Sequence, residues 1–133
     1  PYQKLINYDS IKAIMTSHLI HKKLDANLPA TLSSRVLKDL LRSKMGFNGV
    51  IISDDPSMGA ISKYYSLKET LLLMIHAEVD IFCFGNNLHY DENLLKKVFK
   101  ILVDLYEDEK ITENQIHASY ERIMALKKSI GII

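Results

Sequence analysis

The sequence predicts an α/β fold with about three parallel strands and helices packed against them. Three observations carry that expectation. Three short runs, Ala13-Ile14-Met15, Val50-Ile51-Ile52 and Ile81-Phe82-Cys83-Phe84, are apolar without polar alternation, the pattern of strands covered on both faces. Stretches of helical periodicity separate them, and alternating units of this kind form a parallel sheet with right-handed crossovers. The second run passes through Ser53 and stops at two carboxylates, Asp54 and Asp55. Burying an unpaired charge is costly, so the strand must leave the core there, at the carboxyl end where α/β folds place their chemistry.

In order, Tyr2 to Tyr8 reads as the tail of a helix, with Leu5 and Ile6 as its apolar contacts. The Ala13–Met15 strand follows and ends in Thr16-Ser17-His18. After a loop with Asp25, Asn27 and Pro29, a helix begins near Ser33, a suitable cap. Val36, Leu37, Leu40 and Leu41 share its inner face, and Gly46 can end it in a left-handed turn. The second strand spans Val50 to Ser53, and a loop of a dozen residues follows. Ser66-Leu67-Lys68-Glu69 then opens a helix with a capping box, its stripe being Leu67, Leu71, Leu72 and Ile75. The third strand is Ile81–Phe84. A longer helix spans Asp91 to Tyr106, with Leu94, Leu95, Val98, Phe99 and Leu102 inward. Thr112-Glu113-Asn114-Gln115 caps the last helix, whose inner face is Ile116, Tyr120, Ile123 and Ile130.

The chain of 133 residues is long enough for one domain with a core. Three strands leave two sheet edges unpaired, and a (β/α)8 barrel needs about 250 residues. The pattern fits the C-terminal part of such a barrel, entered inside a helix, and equally a small three-layer sandwich. Seventeen basic residues balance sixteen acidic ones, and no basic stripe interleaved with aromatics marks a nucleic-acid surface. No apolar run approaches the roughly 18 residues of a bilayer span. Cys83 is the only cysteine, which excludes an internal disulfide framework and a thiolate metal cluster. The chain begins Pro1-Tyr2-Gln3, so the native start, and any targeting signal, is expected upstream. The compartment stays open.

Several segments, in this order, resemble glycoside hydrolase family 3, and within it the bacterial β-N-acetylhexosaminidases. They are Ile14-Met15-Thr16-Ser17-His18, Leu28-Pro29-Ala30-Thr31-Leu32-Ser33, Leu41-Arg42, Gly46-Phe47-Asn48-Gly49-Val50-Ile51-Ile52-Ser53-Asp54-Asp55, and Met58. Weaker matches continue through Ala77, Asp80 and Arg122-Ile123, Leu126-Lys127. A lone Ser-Asp-Asp carries no information; the ordered set is specific. The Asp-Asp-x-x-Met ending resembles the hexosaminidase branch, whereas the β-glucosidase branch more often has tryptophan after the first aspartate. The resemblance implies a (β/α)8 barrel, with residues 1–133 as the C-terminal part of the catalytic domain. One departure concerns Ala77-Glu78, where the family usually has Ala-Gly; glutamate takes a left-handed turn less readily than glycine.

By the same resemblance, Asp54 matches the catalytic nucleophile of a retaining mechanism with a covalent glycosyl-enzyme intermediate. The acid/base histidine of that branch and the Lys-His pair that holds the sugar lie upstream in the family, outside this chain. The chain alone is therefore expected to be inactive. The implied substrate is terminal β-linked N-acetylglucosamine from peptidoglycan fragments. No cofactor and no metal are implied.

Against a catalytic Asp54 stands the plain reading of a strand-end aspartate that caps a loop. Neighbours on a strand point in opposite directions, so Asp55 reads as a loop-fixing acceptor. His18 lines the same mouth, either touching sugar or holding the loop through a hydrogen bond. Met58 reads as a residue of the pocket wall, and Arg42 as a charge at a helix end. His76, His89 and His117 read as surface residues without metal spacing. Two other functions compete. One is a Mg²⁺-binding or phosphoacceptor domain built on the acidic strand end; a phosphoacceptor needs a further aspartate and a lysine at later strand ends, and Gly85-Asn86-Asn87 stand there instead, which counts against it. The other is a non-catalytic half-barrel that acts by assembly. Open sheet edges are expected to drive association, with the missing barrel half or between copies.

Overall fold

β-branched Val50, Ile51 and Ile52 form a strand that fits a covered position, and Val50 and Ile51 are wholly buried. In the computed structural model, which describes residues 1–87 and 90–133, this strand, β2 (Val50–Ile52), pairs in parallel with β1 (Ala13–Met15). The register sets Ala13 opposite Val50, Ile14 opposite Ile51 and Met15 opposite Ile52. Among the described residues the sheet has these two strands. The expected third strand is reduced to one parallel bridge, Ile52 to Ile81. Ser53 N–H donates to Ile81 O at 2.9 Å, but the Cys83 N–H then donates to the Ser53 hydroxyl at 2.9 Å. A side chain thus takes the donor that the next rung of the ladder needs.

The crossover between β1 and β2 holds a 3₁₀ turn, Ala30–Leu32, and a helix, Arg35–Lys44. The Ser33 hydroxyl accepts the Val36 N–H at 3.2 Å, as expected of a cap. The helix is wound as a π-helix, with Met45 N–H reaching Leu40 O at 2.9 Å. Gly46 follows at φ +75°, the left-handed stop that glycine supplies.

The stretch after β2, a loop by its sequence pattern, contains a short helix, Gly59–Ser62, whose Ile61 is wholly buried. The Leu67–His76 helix carries the full capping box of Ser66 and Glu69. It buries Thr70, Leu71 and Met74, a face rotated from the predicted stripe. The next helix, Leu94–Glu107, turns Val98 and Leu105 inward. Leu95 and Phe99, expected inside, are 80% and 68% exposed. The helix is apolar on both flanks, and the Leu67–His76 helix covers one of them. The last helix, Glu113–Ser129, has its Thr112/Gln115 capping box but fully buries no residue. Of the predicted face, Ile116, Tyr120 and Ile130 are exposed and Ile123 is half-buried, as are Met124 and Leu126; Ser119 and Arg122 tie the helix to Asp80. Among the described residues no helix is long and apolar enough to cross a membrane. His89 lies outside the described residues.

Candidate active site

β2 ends at Ser53, which is wholly buried, and the chain emerges with Asp54. The Asp54 side chain turns back on its own backbone: Oδ1 accepts the Asp55 N–H at 2.8 Å. Oδ2 has no hydrogen-bond partner, and Asp54 joins no ion pair, among the described residues. Asp54 is half-buried. A carboxylate with one oxygen held by its own backbone and the other free of hydrogen bonds among the described residues can act as a nucleophile.

Asp55 is held through one carboxylate oxygen, with no hydrogen bond to the other among the described residues. Its Oδ1 accepts the Ser57 N–H at 2.9 Å and the Ser57 hydroxyl at 2.7 Å. Its carbonyl accepts the Met58 N–H at 3.1 Å. Its Oδ2 lies against Gly85, the residue after the third apolar segment; a Cβ on Gly85 would stand 2.7 Å from it. Glycine is needed there for the close approach.

His18 lies beyond the end of β1, half-buried. Its Nδ1 is 3.0 Å from Thr31 Oγ1 and its Nε2 is 2.8 Å from the Asp55 carbonyl oxygen. The structure therefore brings His18 to the backbone beside Asp54. Met58 is 40% exposed on the same loop and leads into the Gly59–Ser62 helix. In the loop between β1 and the π-helix, Asp25 is buried. It accepts the Asn27 and Leu28 amides on Oδ1 and the Ser33 hydroxyl on Oδ2, at 2.9, 3.2 and 2.6 Å. The Ser33 hydroxyl and the Asn27 amide hold its carboxyl below the usual range.

Sequence reasoning missed a buried charge cluster at the opposite end of β2. The Asp80 side chain is fully buried. Its Oδ2 accepts the Ile51 N–H at 2.8 Å and Arg42 Nη2 at 2.7 Å. Its Oδ1 accepts Arg122 Nε at 2.9 Å and the Ser119 hydroxyl at 2.8 Å, with Arg122 Nη2 also at 2.8 Å. Arg42 further donates to the Phe47, Gly49 and Glu78 carbonyls. Its Nε lies 3.1 Å from Glu78 Oε2 but outside hydrogen-bonding alignment. Burial draws the Arg42 guanidinium below its usual value, against the pull of Asp80; a group that starts so high stays charged. Arg42 is thus a clamp between three segments, more than a helix-end charge. The available signal was the coincidence of Arg42, Asp80 and Arg122 within the matched motifs.

An apolar groove of about 450 Å³ runs between the last helix and the third segment, past Phe82, Ile116 and Tyr120. Asp54 is not on it; the surface of the groove is mostly apolar, and of its charged lining residues Asp80 and Arg122 are paired with each other.

Comparison with known proteins follows the same lines. Residues 1–126 match the Glycosyl hydrolase family 3 N terminal domain. The chain is 38% identical over 94 residues to a beta-hexosaminidase of Methylobacillus flagellatus, covering 71% of this chain and 26% of that protein. It is 32% identical over 130 residues to a beta-hexosaminidase of Haemophilus influenzae, covering 96% of this chain and 34% of that protein. The crystal structure of the beta-N-acetylglucosaminidase from Thermotoga maritima superposes with a TM-score of 0.82 at 32% identity, over 94% of this chain and 27% of that one. The chain therefore spans between a quarter and about a third of the length of these relatives.

Proposed function

The chain belongs to glycosyl hydrolase family 3, and from that membership we propose that it is the nucleophile-bearing, C-terminal part of a retaining β-N-acetylhexosaminidase. Residues 1–133 contribute three strand positions of a (β/α)8 barrel, and a segment outside this chain contributes the rest. The observation that carries the assignment is the Asp54 carboxylate at the carboxyl end of β2, with Oδ1 held by the Asp55 amide and no hydrogen bond to Oδ2 among the described residues, whereas Asp55 is tied to Ser57 and packed against Gly85. The names of the similar proteins support N-acetylglucosamine as the sugar.

The substrate is a terminal β-linked N-acetylglucosamine unit, with peptidoglycan fragments as its source. Asp54 Oδ2 attacks the anomeric carbon as the bond to the leaving oxygen breaks. An acid outside this chain gives that oxygen its proton. Water then gives a proton to that same outside group, now a base, and attacks the anomeric carbon of the glycosyl-aspartate, which releases the sugar with retained configuration and frees Asp54. Met58 forms part of the pocket wall. The exposed edge of β1 and the outward Leu95 and Phe99 support association with the remaining barrel strands.

The test is Asp54→Asn in the full-length protein, assayed on an aryl β-N-acetylglucosaminide. Turnover is expected to fall by several orders of magnitude with fold retained; near-normal rates overturn the assignment. The 133-residue chain by itself is expected to give no turnover.

A further inference from the structure

Asp54 stands where its strand has parted from both neighbours. The last backbone bond from the β1 side is Thr16 N–H to Ile52 O, 2.9 Å, and the last to the third segment is Ser53 N–H to Ile81 O, 2.9 Å. Among the described residues no backbone bond joins Asp54 to a neighbouring strand. A side-chain relay continues where the ladder stops. The hydroxyls of Thr16 and Thr31, both buried, are 2.8 Å apart. Thr31 Oγ1 meets His18 Nδ1, and His18 Nε2 meets the Asp55 carbonyl.

The protons of this relay follow from chemistry. A carbonyl only accepts, so Nε2 carries the hydrogen. In the neutral ring Nδ1 then accepts from the Thr31 hydroxyl, and Thr31 in turn accepts from Thr16. Both ring nitrogens are spent on the protein. The Asp55 carbonyl and the Asp55 amide flank one Cα, and that amide holds Asp54 Oδ1. Fixing the carbonyl therefore restricts the residue that aims the carboxylate.

We infer that His18, braced by Thr31 and Thr16, is a positioning residue for Asp54 that acts through the Asp55 peptide and does not contact the sugar. The inference rests on the reading of Asp54 as nucleophile. A carboxylate misplaced by an ångström loses much of its effective concentration toward the anomeric carbon while the sugar still binds.

The test compares His18→Ala and His18→Gln, the second keeping a donor near the Nε2 position. In the labelled 133-residue chain, nitrogen NMR is expected to show His18 with its hydrogen on Nε2. Exchange of the Asp55 amide is expected to quicken about tenfold in His18→Ala, the scale of one hydrogen bond. Leu71 and Met74 amides should stay unchanged, and His18→Gln should restore Asp55. In the full-length protein, kcat of His18→Ala is expected to fall at least about tenfold with KM within about twofold, again with recovery in His18→Gln. A hydrogen on Nδ1, equal quickening at every amide, or a raised KM at unchanged kcat overturns the inference. If Asp54→Asn stays active, the nucleophile reading fails, and the Asp55 exchange result separately reports whether the relay exists.

Discussion

Glu78 stands in the left-handed region at φ +63°, and its Oε2 lies 3.1 Å from Nε of the buried Arg42. A residue with a Cβ is strained in that conformation, and here its side chain partners the same guanidinium that clamps Asp80. Lys38 approaches the other carboxylate oxygen at 3.7 Å. The family-typical glycine would remove the strain and the ion pair together. Glu78→Gly is therefore expected to leave stability within about 1 kcal/mol of the parent, whereas Glu78→Ala keeps the strain and falls about 1 kcal/mol below Glu78→Gly. Urea midpoints of the three proteins test this; equal midpoints for the Gly and Ala variants would remove backbone strain from the account.

Asp80→Asn removes the buried carboxylate that Arg42 and Arg122 share, leaving Arg42 with Glu78 alone. The expected cost is about 3–5 kcal/mol, against about 1 kcal/mol for Ser119→Ala, which removes one hydroxyl donor. Denaturant unfolding ranks the two. Comparable losses would mean that Asp80 acts as an ordinary hydrogen-bond acceptor.

Asp25 links stability to acid. Its folded-state carboxyl titrates below the ordinary range, so its contribution is complete above the unfolded value near 3.9 and disappears as pH falls through the lower folded value. Asp25→Asn is expected to be about 2 kcal/mol less stable at pH 7, with the gap closing toward pH 2. A gap independent of pH would show that the carboxylate charge plays no part.

Gly85→Ala sets a methyl 2.7 Å from Asp55 Oδ2, a carboxylate already held by Ser57. Overpacking of this kind costs about 1–3 kcal/mol. Combining Gly85→Ala with Asp55→Ala should recover part of that cost, and a double-mutant cycle measures the coupling. Strict additivity would place the strain elsewhere.

What the sequence made legible was local. Ser33, Ser66 and Thr112 act as the helix caps their spacing predicts, and the apolar-to-acidic break after Ile52 marks the strand end. What it concealed depends on contacts between distant segments. Asp80 reads as a turn residue until Arg42, Ile51, Ser119 and Arg122 are gathered around it. Leu95 and Phe99 read as core because periodicity reports an apolar face without saying whether a neighbour covers it. The third strand failed at a single hydroxyl, Ser53 Oγ, which no pattern of hydrophobicity registers. At the site, the strand-end position of Asp54 and His18 was readable, but the 37-residue reach from the imidazole to the Asp55 carbonyl was not.

The last helix meets the body of the molecule through Ser119 and Arg122 on one buried carboxylate and through the half-buried Ile123, Met124 and Leu126, and it fully buries no residue of its own. Heat capacity on unfolding follows newly hydrated apolar surface. Release of this helix should therefore carry only a small heat-capacity increment, while the rest of the chain melts with the usual large one. Cooling weakens apolar contacts more than charge-assisted ones. The helix is then the part of the fold whose attachment changes least between the warm and cold ends of the stability curve.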